Sequence, residues 1–183
     1  MVLNHSNTGL CLKKSILIIL LPVSLIILNG CKVSYSFTGA SISPDVKTIS
    51  IQYFQNRASL VQPMLSQTIT DALIDKCKAQ TNLGFVDGIN RIGDVNFEGE
   101  ISDYTTRPLT VAADAQAATN RFTISVKVKF TNSIEPNYNF EQTFSRYEDY
   151  DSNIDLSQVE KDLSVKIVDL LVEDIFNKAF VNW

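Results

Sequence analysis

Alternating apolar and polar residues predict four main β-strands in this chain. Such a period of two is typical of a sheet that is covered on one face. The segments that show it are 46–54, 95–101, 121–131 and 138–146. In the clearest of them, Phe122 and Ile124 belong to the apolar set, whereas Lys127 and Lys129 belong to the polar set. We therefore expect each strand to turn one side toward a common core.

Two longer segments have the 3.6-residue spacing of amphipathic helices. The first spans Ser59 to Lys78, with Pro63 in its early turn, where a missing N–H is tolerated. The second runs from about Ser157 to Val181. Ser157 and Glu160 fit a capping box at its start.

The remaining segments are predicted to connect these elements. Residues 105–120 form a long, alanine-containing connection between two strands, for which a short helix is an alternative. Residues 132–137 form a turn, 147–153 a solvated exit loop, and 85–86 a short strand fragment. Gly99 within a strand indicates a bulge or the close approach of other atoms.

The element order β-α-β-β-β-α predicts an α+β fold. We expect a two-layer sandwich in which about four strands form a mixed sheet and both helices pack on one face of it.

The N-terminus carries the pattern of an exported lipoprotein. Lys13 and Lys14 precede an apolar run over 16–28, which ends at Gly30-Cys31. The run is shorter than the roughly 20 residues of a comfortable membrane span and fits a signal peptide. Cleavage before Cys31 and acylation of that residue would anchor the chain by lipid. An uncleaved anchor, or an ordinary signal with a chance cysteine, are the alternatives.

These features divide the chain into three parts. Residues 1–30 are the signal peptide, 31–45 a lipidated N-terminal segment, and 46–183 a single α+β domain. Without residues 1–30 the chain has 14 basic and 20 acidic residues, a net charge of −6. That balance argues against a nucleic-acid binder.

Composition also argues against catalysis. The one histidine, His5, leaves with the signal, so the mature chain has neither a Ser-His-Asp triad nor histidine ligands for zinc. No cofactor motif or metal-ligand cluster is present in the sequence. Cys77 lies on the apolar face of the first helix, where a buried structural thiol is expected.

The only basic stripe lies on the polar side of strand 121–131. Arg121, Lys127 and Lys129 point to that side. They are either surface charges that discourage edge-to-edge aggregation or a contact for phosphorylated lipid or an acidic partner. Glu98 and Glu100 share the polar side of strand 95–101, and a solvated strand face explains them better than an acid–base pair.

Several short segments together resemble one lipoprotein family. They are Gly30-Cys31, 35–41, Phe54-Gln55-Asn56, 120–124, Phe144-Ser145, 174–177 and Asn182-Trp183. As a set they are similar to the LptE lipoproteins of lipopolysaccharide assembly, in the form found in Bacteroidetes. The resemblance covers nearly the whole mature chain.

That resemblance implies a non-enzymatic role at the outer membrane. Family members plug LptD, the β-barrel that delivers lipopolysaccharide to the cell surface, assist its assembly and are thought to bind lipopolysaccharide. It implies a one-to-one complex, a periplasmic domain within the barrel lumen, and acylation of Cys31. From strand parity and loop position we add Arg107, Arg121, Lys127 and Lys129 as candidate ligand- or partner-binding residues. Residues 105–120 and 132–138 are candidates for reaching into the lumen.

Two other classes remain open at this point. A CsgG-like outer-membrane secretion lipoprotein would form an oligomeric ring. A lipid-anchored hydrolase would use carboxylates such as Glu98, Glu100 or Asp103, and would need them in a deep cleft.

Overall fold

The structure is a computed structural model that describes residues 42–59, 62–86, 91–109 and 119–181. Six strands are present in this part of the chain: β1 (Thr48–Ile51), β2 (Gln55–Asn56), β3 (Gly84–Phe85), β4 (Val95–Leu109), β5 (Thr119–Asn132) and β6 (Phe140–Asp151). Two α-helices, α1 (Leu65–Gln80) and α2 (Leu156–Phe180), and a 3-10 helix (Pro136–Tyr138) complete the fold. The predicted signal peptide, Cys31 and the connection 110–118 lie outside the described residues.

The strands form one mixed sheet in the order β3-β1-β4-β5-β6, with β2 paired to β4. Strands β1, β2, β3 and β4 pair in parallel, whereas β4, β5 and β6 form an antiparallel meander. The predicted α+β fold is confirmed. The sheet has six strands instead of about four main ones: β3 overlaps the strand fragment predicted at 85–86, and the two-residue strand β2 is too short to show an alternation.

Helix α1 begins later than its apolar spacing predicts. It starts at Leu65, and Pro63 stands in the turn before it instead of in its first turn. The proline disfavours helical backbone at the residue that precedes it, so the helix can form only beyond this point. Cys77 is fully buried on the inner side of α1, and desolvation raises the pKa of its thiol to about 12.

The predicted capping box of the second helix is wrong. Asp155 is the N-cap of α2, and its Oδ1 accepts a hydrogen bond of 2.8 Å from the backbone N–H of Ser157, which lies inside the helix. An Asp at the N-cap accepts a hydrogen bond from an unpaired backbone N–H as well as a Ser does. Its negative charge also interacts favourably with the positive end of the helix dipole. Glu160 accepts instead a hydrogen bond from the hydroxyl of Tyr104 on β4.

The core lies between the two helices and one face of the sheet. Aromatic rings on both layers interlock there: the centroid of Phe97 lies 4.8 Å from that of Phe130 and 5.9 Å from that of Phe180. The alternating apolar residues predicted for strand 121–131 are confirmed as core residues. They are Phe122, Ile124, Val126, Val128 and Phe130, each at most 1% exposed.

The first strand is interrupted where it was predicted to continue. After Ile51 the chain leaves the ladder. The alternation placed Tyr53 with the core residues and Phe54 on the polar side, but Phe54 is fully buried and Tyr53 is 53% exposed. Its backbone N–H donates to Oγ1 of Thr70 on α1, at 3.2 Å. A Cβ at Gly99 would lie less than 3.0 Å from three atoms of the Phe54 ring. The close approach of other atoms that was predicted at Gly99 is therefore the contact with the Phe54 ring.

Residues 105–120 are not a single long connection. Strand β4 extends to Leu109 and β5 begins at Thr119, so the two strands pair far beyond the predicted ends. A bulge between Ile101 and Asp103 shifts the register. The extra residue reverses which side each later residue faces, so that Tyr104 reaches the core.

The predicted exit loop 147–153 is also wrong, because β6 continues through Asp151. Its polar residues are compatible with an edge strand, one side of which faces solvent. Asp149 pairs in register with Arg121 of β5, and this opposite-charge pair supports the extension.

Asp94 joins the start of β1 to the start of β4. Its Oδ2 accepts hydrogen bonds from the backbone N–H groups of Lys47, at 2.8 Å, and Thr48, at 2.9 Å. These bonds hold the pKa of the Asp94 carboxyl below its usual range. Its carbonyl oxygen accepts from the backbone N–H of Ser133 at 2.8 Å, which attaches the β5–β6 turn to the same point.

Replacement of Asp94 by asparagine should therefore destabilise the fold in a pH-dependent way. Because the folded-state pKa is lowered, the stabilisation is fully present above the unfolded value of about 4. It is lost as the pH falls through the folded value. Urea unfolding of the wild type and Asp94→Asn should show a larger difference at pH 7 than at pH 3. A difference that does not change with pH would show that the charge contributes nothing.

Candidate functional site

The face of the sheet opposite the helices carries the candidate residues. Both helices pack on the inner face, and within the described residues no helix covers the outer one. Polar side chains of β4, β5 and β6 project from this face. The alternation along each strand and the bulge in β4 determine which residues they belong to. We call this surface the outer sheet face.

Lys127 and Lys129 lie near the centre of the outer sheet face. The Nζ of Lys127 lies 2.5 Å from a carboxylate oxygen of Glu141 on β6, and the Nζ of Lys129 lies 3.5 Å from one of Glu98 on β4. Hydrogen bonding between Lys127 and Glu141 raises the pKa of the lysine and lowers that of the glutamate. All four side chains are about half exposed, so their charges remain accessible to solvent.

A shallow groove of about 300 Å³ lies over these charges. Its floor is formed by Gly99 and by the flanking Glu98 and Glu100, and one wall by Lys127 and Lys129. The other side is closed by residues that follow β1, among them Tyr53 and Arg57. Arg57 places its Nε 3.1 Å from a carboxylate oxygen of Glu100. Cations and carboxylates therefore alternate across the groove.

Arg121 is held at the other end of β5. Its guanidinium donates two hydrogen bonds to the carboxylate of Asp149, at 2.8 and 2.9 Å. It also lies 3.6 Å from the centroid of the Tyr147 ring. The hydrogen bonds with Asp149 raise the pKa of Arg121 and lower that of Asp149. A planar guanidinium with two such partners has a fixed orientation.

Arg107 lies on a strand and not in a loop as predicted. It is directly opposite Arg121 in the β4–β5 register, exposed, and on the outer sheet face because of the bulge. No ion pair joins Arg107 to a carboxylate within the described residues. Asp151, two residues beyond Asp149 and on the same side of β6, is a second carboxylate at this end of the face.

Taken as a whole, the outer sheet face is close to neutral and not a basic patch. Its cations are Arg57, Arg107, Arg121, Lys127 and Lys129, and its carboxylates are Glu98, Glu100, Asp103, Glu141, Asp149 and Asp151. Such a surface can exchange ion pairs with a polar partner, or bind a phosphate where a carboxylate is displaced.

Of the carboxylates considered for hydrolysis, Glu98 and Glu100 line the shallow groove and Asp103 does not. Glu98 and Glu100 pair with Lys129 and Arg57 on an open surface. Asp103 accepts from its neighbours, the N–H of Tyr104 at 3.0 Å and the hydroxyl of Thr105 at 3.3 Å. Among the described residues no group of three or more His, Cys, Asp or Glu is placed to hold a metal ion.

The sequence did not reveal the partners of the cations. Asp149 and Tyr147 lie within the segment that was predicted to be an exit loop. Glu141 was within a predicted strand, but its pairing with Lys127 depends on the β5–β6 register. Beyond Phe144 the inward positions of β6 are Arg146 and Glu148, so alternation gave no signal for the longer strand.

No helix among the described residues has both the length and the apolar character needed to cross a bilayer.

Comparison with known proteins identifies one family. A sequence profile described as "LptE: Lipopolysaccharide-assembly" matches residues 46–179, which is most of the chain. No curated protein matches the chain.

Solved structures with a similar chain course come from several bacteria. A minor lipoprotein of Acinetobacter baumannii shares 13% identity, with 73% of this chain and 91% of that one covered and a TM-score of 0.47. An uncharacterized lipoprotein B of Nitrosomonas europaea shares 12%, with 80% and 88% covered and a TM-score of 0.46. A putative neuraminyllactose-binding hemagglutinin homolog of Helicobacter pylori shares 9%, with 79% and 89% covered and a TM-score of 0.49.

Proposed function

This chain belongs to the LptE family of lipopolysaccharide-assembly proteins, and from that membership we propose that it is a lipid-anchored plug of an LptD-type outer-membrane β-barrel. The family consists of non-enzymatic outer-membrane lipoproteins. The match over residues 46–179 is the observation that carries the proposal. It gives no support to the alternative of a CsgG-like secretion lipoprotein.

In this proposal, the protein forms a one-to-one complex with the barrel, assists its assembly and lies largely within its lumen. The outer sheet face is the surface that meets the lumen wall. The interior of such barrels is polar. A nearly neutral face with cations and carboxylates on alternating strands is complementary to a wall of mixed charge, because each cation can exchange one carboxylate for another.

Direct lipopolysaccharide binding is the second part of the proposal. Phosphate groups of lipid A would bind to Lys127 and Lys129 in the groove, and to Arg107 and Arg121 at the far end of the face. The lysines are suited to this because their present ion pairs are exposed, and such pairs stabilise a fold little. A phosphate with three acceptor oxygens can replace a carboxylate there.

Charge reversal of Lys127 and Lys129 tests both parts. In Lys127→Glu/Lys129→Glu, five carboxylates would line the groove, and we expect affinity for the barrel and for lipopolysaccharide to fall by about tenfold or more. The measurements are a pull-down with the tagged barrel and displacement of a fluorescent lipopolysaccharide. Circular dichroism should show an intact fold.

Two further variants distinguish the position of these charges from the net charge and from the presence of an ion pair. Lys161→Glu/Lys166→Glu makes the same change of net charge on the exposed side of α2, and binding should stay normal. Lys127→Glu/Glu141→Lys keeps an ion pair but inverts it, and we expect binding to remain weak. Wild-type affinity in the Lys127→Glu/Lys129→Glu variant would make these lysines ordinary surface charges.

A further inference from the structure

Three large apolar side chains are exposed on loops at one end of the sandwich. Ile92 precedes β4 and is 67% exposed, Ile134 lies in the β5–β6 turn and is 43% exposed, and Tyr138 at the end of that turn is 45% exposed. We call these three residues the end cluster. None of them belongs to the core or to the outer sheet face. The sequence offered residues 132–138 as a segment that reaches into the barrel lumen, and a membrane contact of Ile134 and Tyr138 is the alternative to that expectation.

The pairing of the strands places the members of the end cluster at the same end. Val95, the first residue of β4, pairs with Asn132, the last residue of β5. The segment with Ile92 leads into β4, and the turn with Ile134 follows β5, so both lie at this end of the strands. The hydrogen bond from the backbone N–H of Ser133 to the carbonyl of Asp94, at 2.8 Å, holds the two segments together.

The chain from the predicted lipid anchor enters at this end as well. Ile42, the first described residue, lines a small crevice together with Tyr138 and Phe180. Cys31 lies eleven residues upstream in the sequence. Eleven extended residues reach at most about 40 Å, so a lipid on Cys31 keeps Ile42, and with it the end cluster, within that distance of the bilayer.

We propose that the end cluster is a membrane-contact surface, with Ile92, Ile134 and Tyr138 inserted among the lipid headgroups of the leaflet that holds the anchor. Tyrosine is suited to this region because its ring is apolar and its hydroxyl is polar. The isoleucines contribute apolar area that would otherwise face water. Contact by three side chains on two loops fixes the orientation of the domain on the bilayer, which a flexible tether cannot do.

The charges near the end cluster favour an apolar contact over an electrostatic one. Lys47, Arg91 and Lys178 are exposed cations at this end, and Asp45 and Glu135 are the carboxylates near them. Cation and carboxylate are therefore mixed, and attraction to anionic lipid is weak. The proposal rests on acylation of Cys31 and not on the barrel, so it can be tested in the absence of the barrel.

Fluorescent labelling of the natively lipidated protein tests the contact. Ile92→Cys and Ile134→Cys would each carry an environment-sensitive dye, with Ile154→Cys as the matched control. Ile154 is 38% exposed and follows β6 at the opposite end of the sheet. The native Cys77 does not interfere, since it is fully buried and its thiol has a pKa raised to about 12.

The labelled proteins would be reconstituted in vesicles of phosphatidylethanolamine and phosphatidylglycerol, after intact mass has verified the acyl chains. We expect a blue shift and an increased intensity at positions 92 and 134, and neither change at 154. Equal exposure to water at all three positions would overturn the proposal. So would shielding of 92 and 134 that arises only when the barrel is added, because the end cluster would then contact protein and not lipid.

Discussion

Replacing Gly99 by alanine is expected to lower the free energy of unfolding by about 1–3 kcal/mol, as overpacking of a closed core does. The new methyl group would lie less than 3.0 Å from three atoms of the Phe54 ring. That ring is fully buried and cannot swing into solvent. Either the ring or strand β4 has to move, and urea unfolding monitored by circular dichroism measures the effect.

Gly84→Ala is the matched control for this prediction. Gly84 is also a strand residue, but a Cβ there would lie at an ordinary distance of 3.6 Å from the carbonyl oxygen of Lys47. Its effect should be small. In a Phe54→Leu background, the effect of Gly99→Ala should shrink because the smaller side chain leaves room. Equal stability of Gly99→Ala and Gly84→Ala would contradict the close contact.

Replacing Cys31 by serine is expected to abolish lipid anchoring. Each buried methylene contributes about 0.8 kcal/mol to membrane binding, so two or more acyl chains hold a protein stably and their loss has a large effect. The wild type should partition into detergent and carry the mass of its acyl groups. Cys31→Ser should lack that mass, and any cleaved product should be found in the aqueous phase.

Cys11→Ser separates this effect from a general effect on export. Cys11 lies within the predicted signal peptide, so its replacement should leave acylation and partitioning unchanged. A precursor that keeps its signal can also remain with the membrane, and intact mass distinguishes it from an acylated protein. A wild-type protein without acyl groups would contradict the lipoprotein assignment.

Periodicity predicted the parts of the fold in which a local pattern determines the burial. Phe122 and Ile124 alternate with Arg121 and Thr123, and a one-residue slip of register would expose this apolar set, so the burial of one face determines the register. The two helices were likewise found from their apolar spacing. These elements were enough for the α+β class and for the placement of both helices on one face.

The errors occurred where tertiary contacts decide. The bulge after Ile101 places one extra residue in β4, and nothing in the local residue types indicates it. It reverses the side of the sheet on which Arg107 lies. The polar end of β6 resembled a loop because an edge strand has no second neighbour to bury its residues. The alternation of the first strand placed Phe54 on the polar side of the sheet. Its ring packs in the core instead, in the space beside Gly99.

The candidate site was predictable as a set of cations but not as a set of ion pairs. Strand parity correctly put Arg121, Lys127 and Lys129 on one face. Their partners are on other strands, and the pairs follow from the register across β4, β5 and β6, which alternation alone does not give. The partners matter because they change the face from a basic stripe into a nearly neutral surface.

The most direct test of the central claim is purification of the natively lipidated protein from outer membranes through an affinity tag, followed by quantitative mass spectrometry of what accompanies it. The account predicts one LptD-type β-barrel in an amount equal to that of the tagged chain. Recovery without any transmembrane barrel, or as a ring of identical subunits, would contradict it.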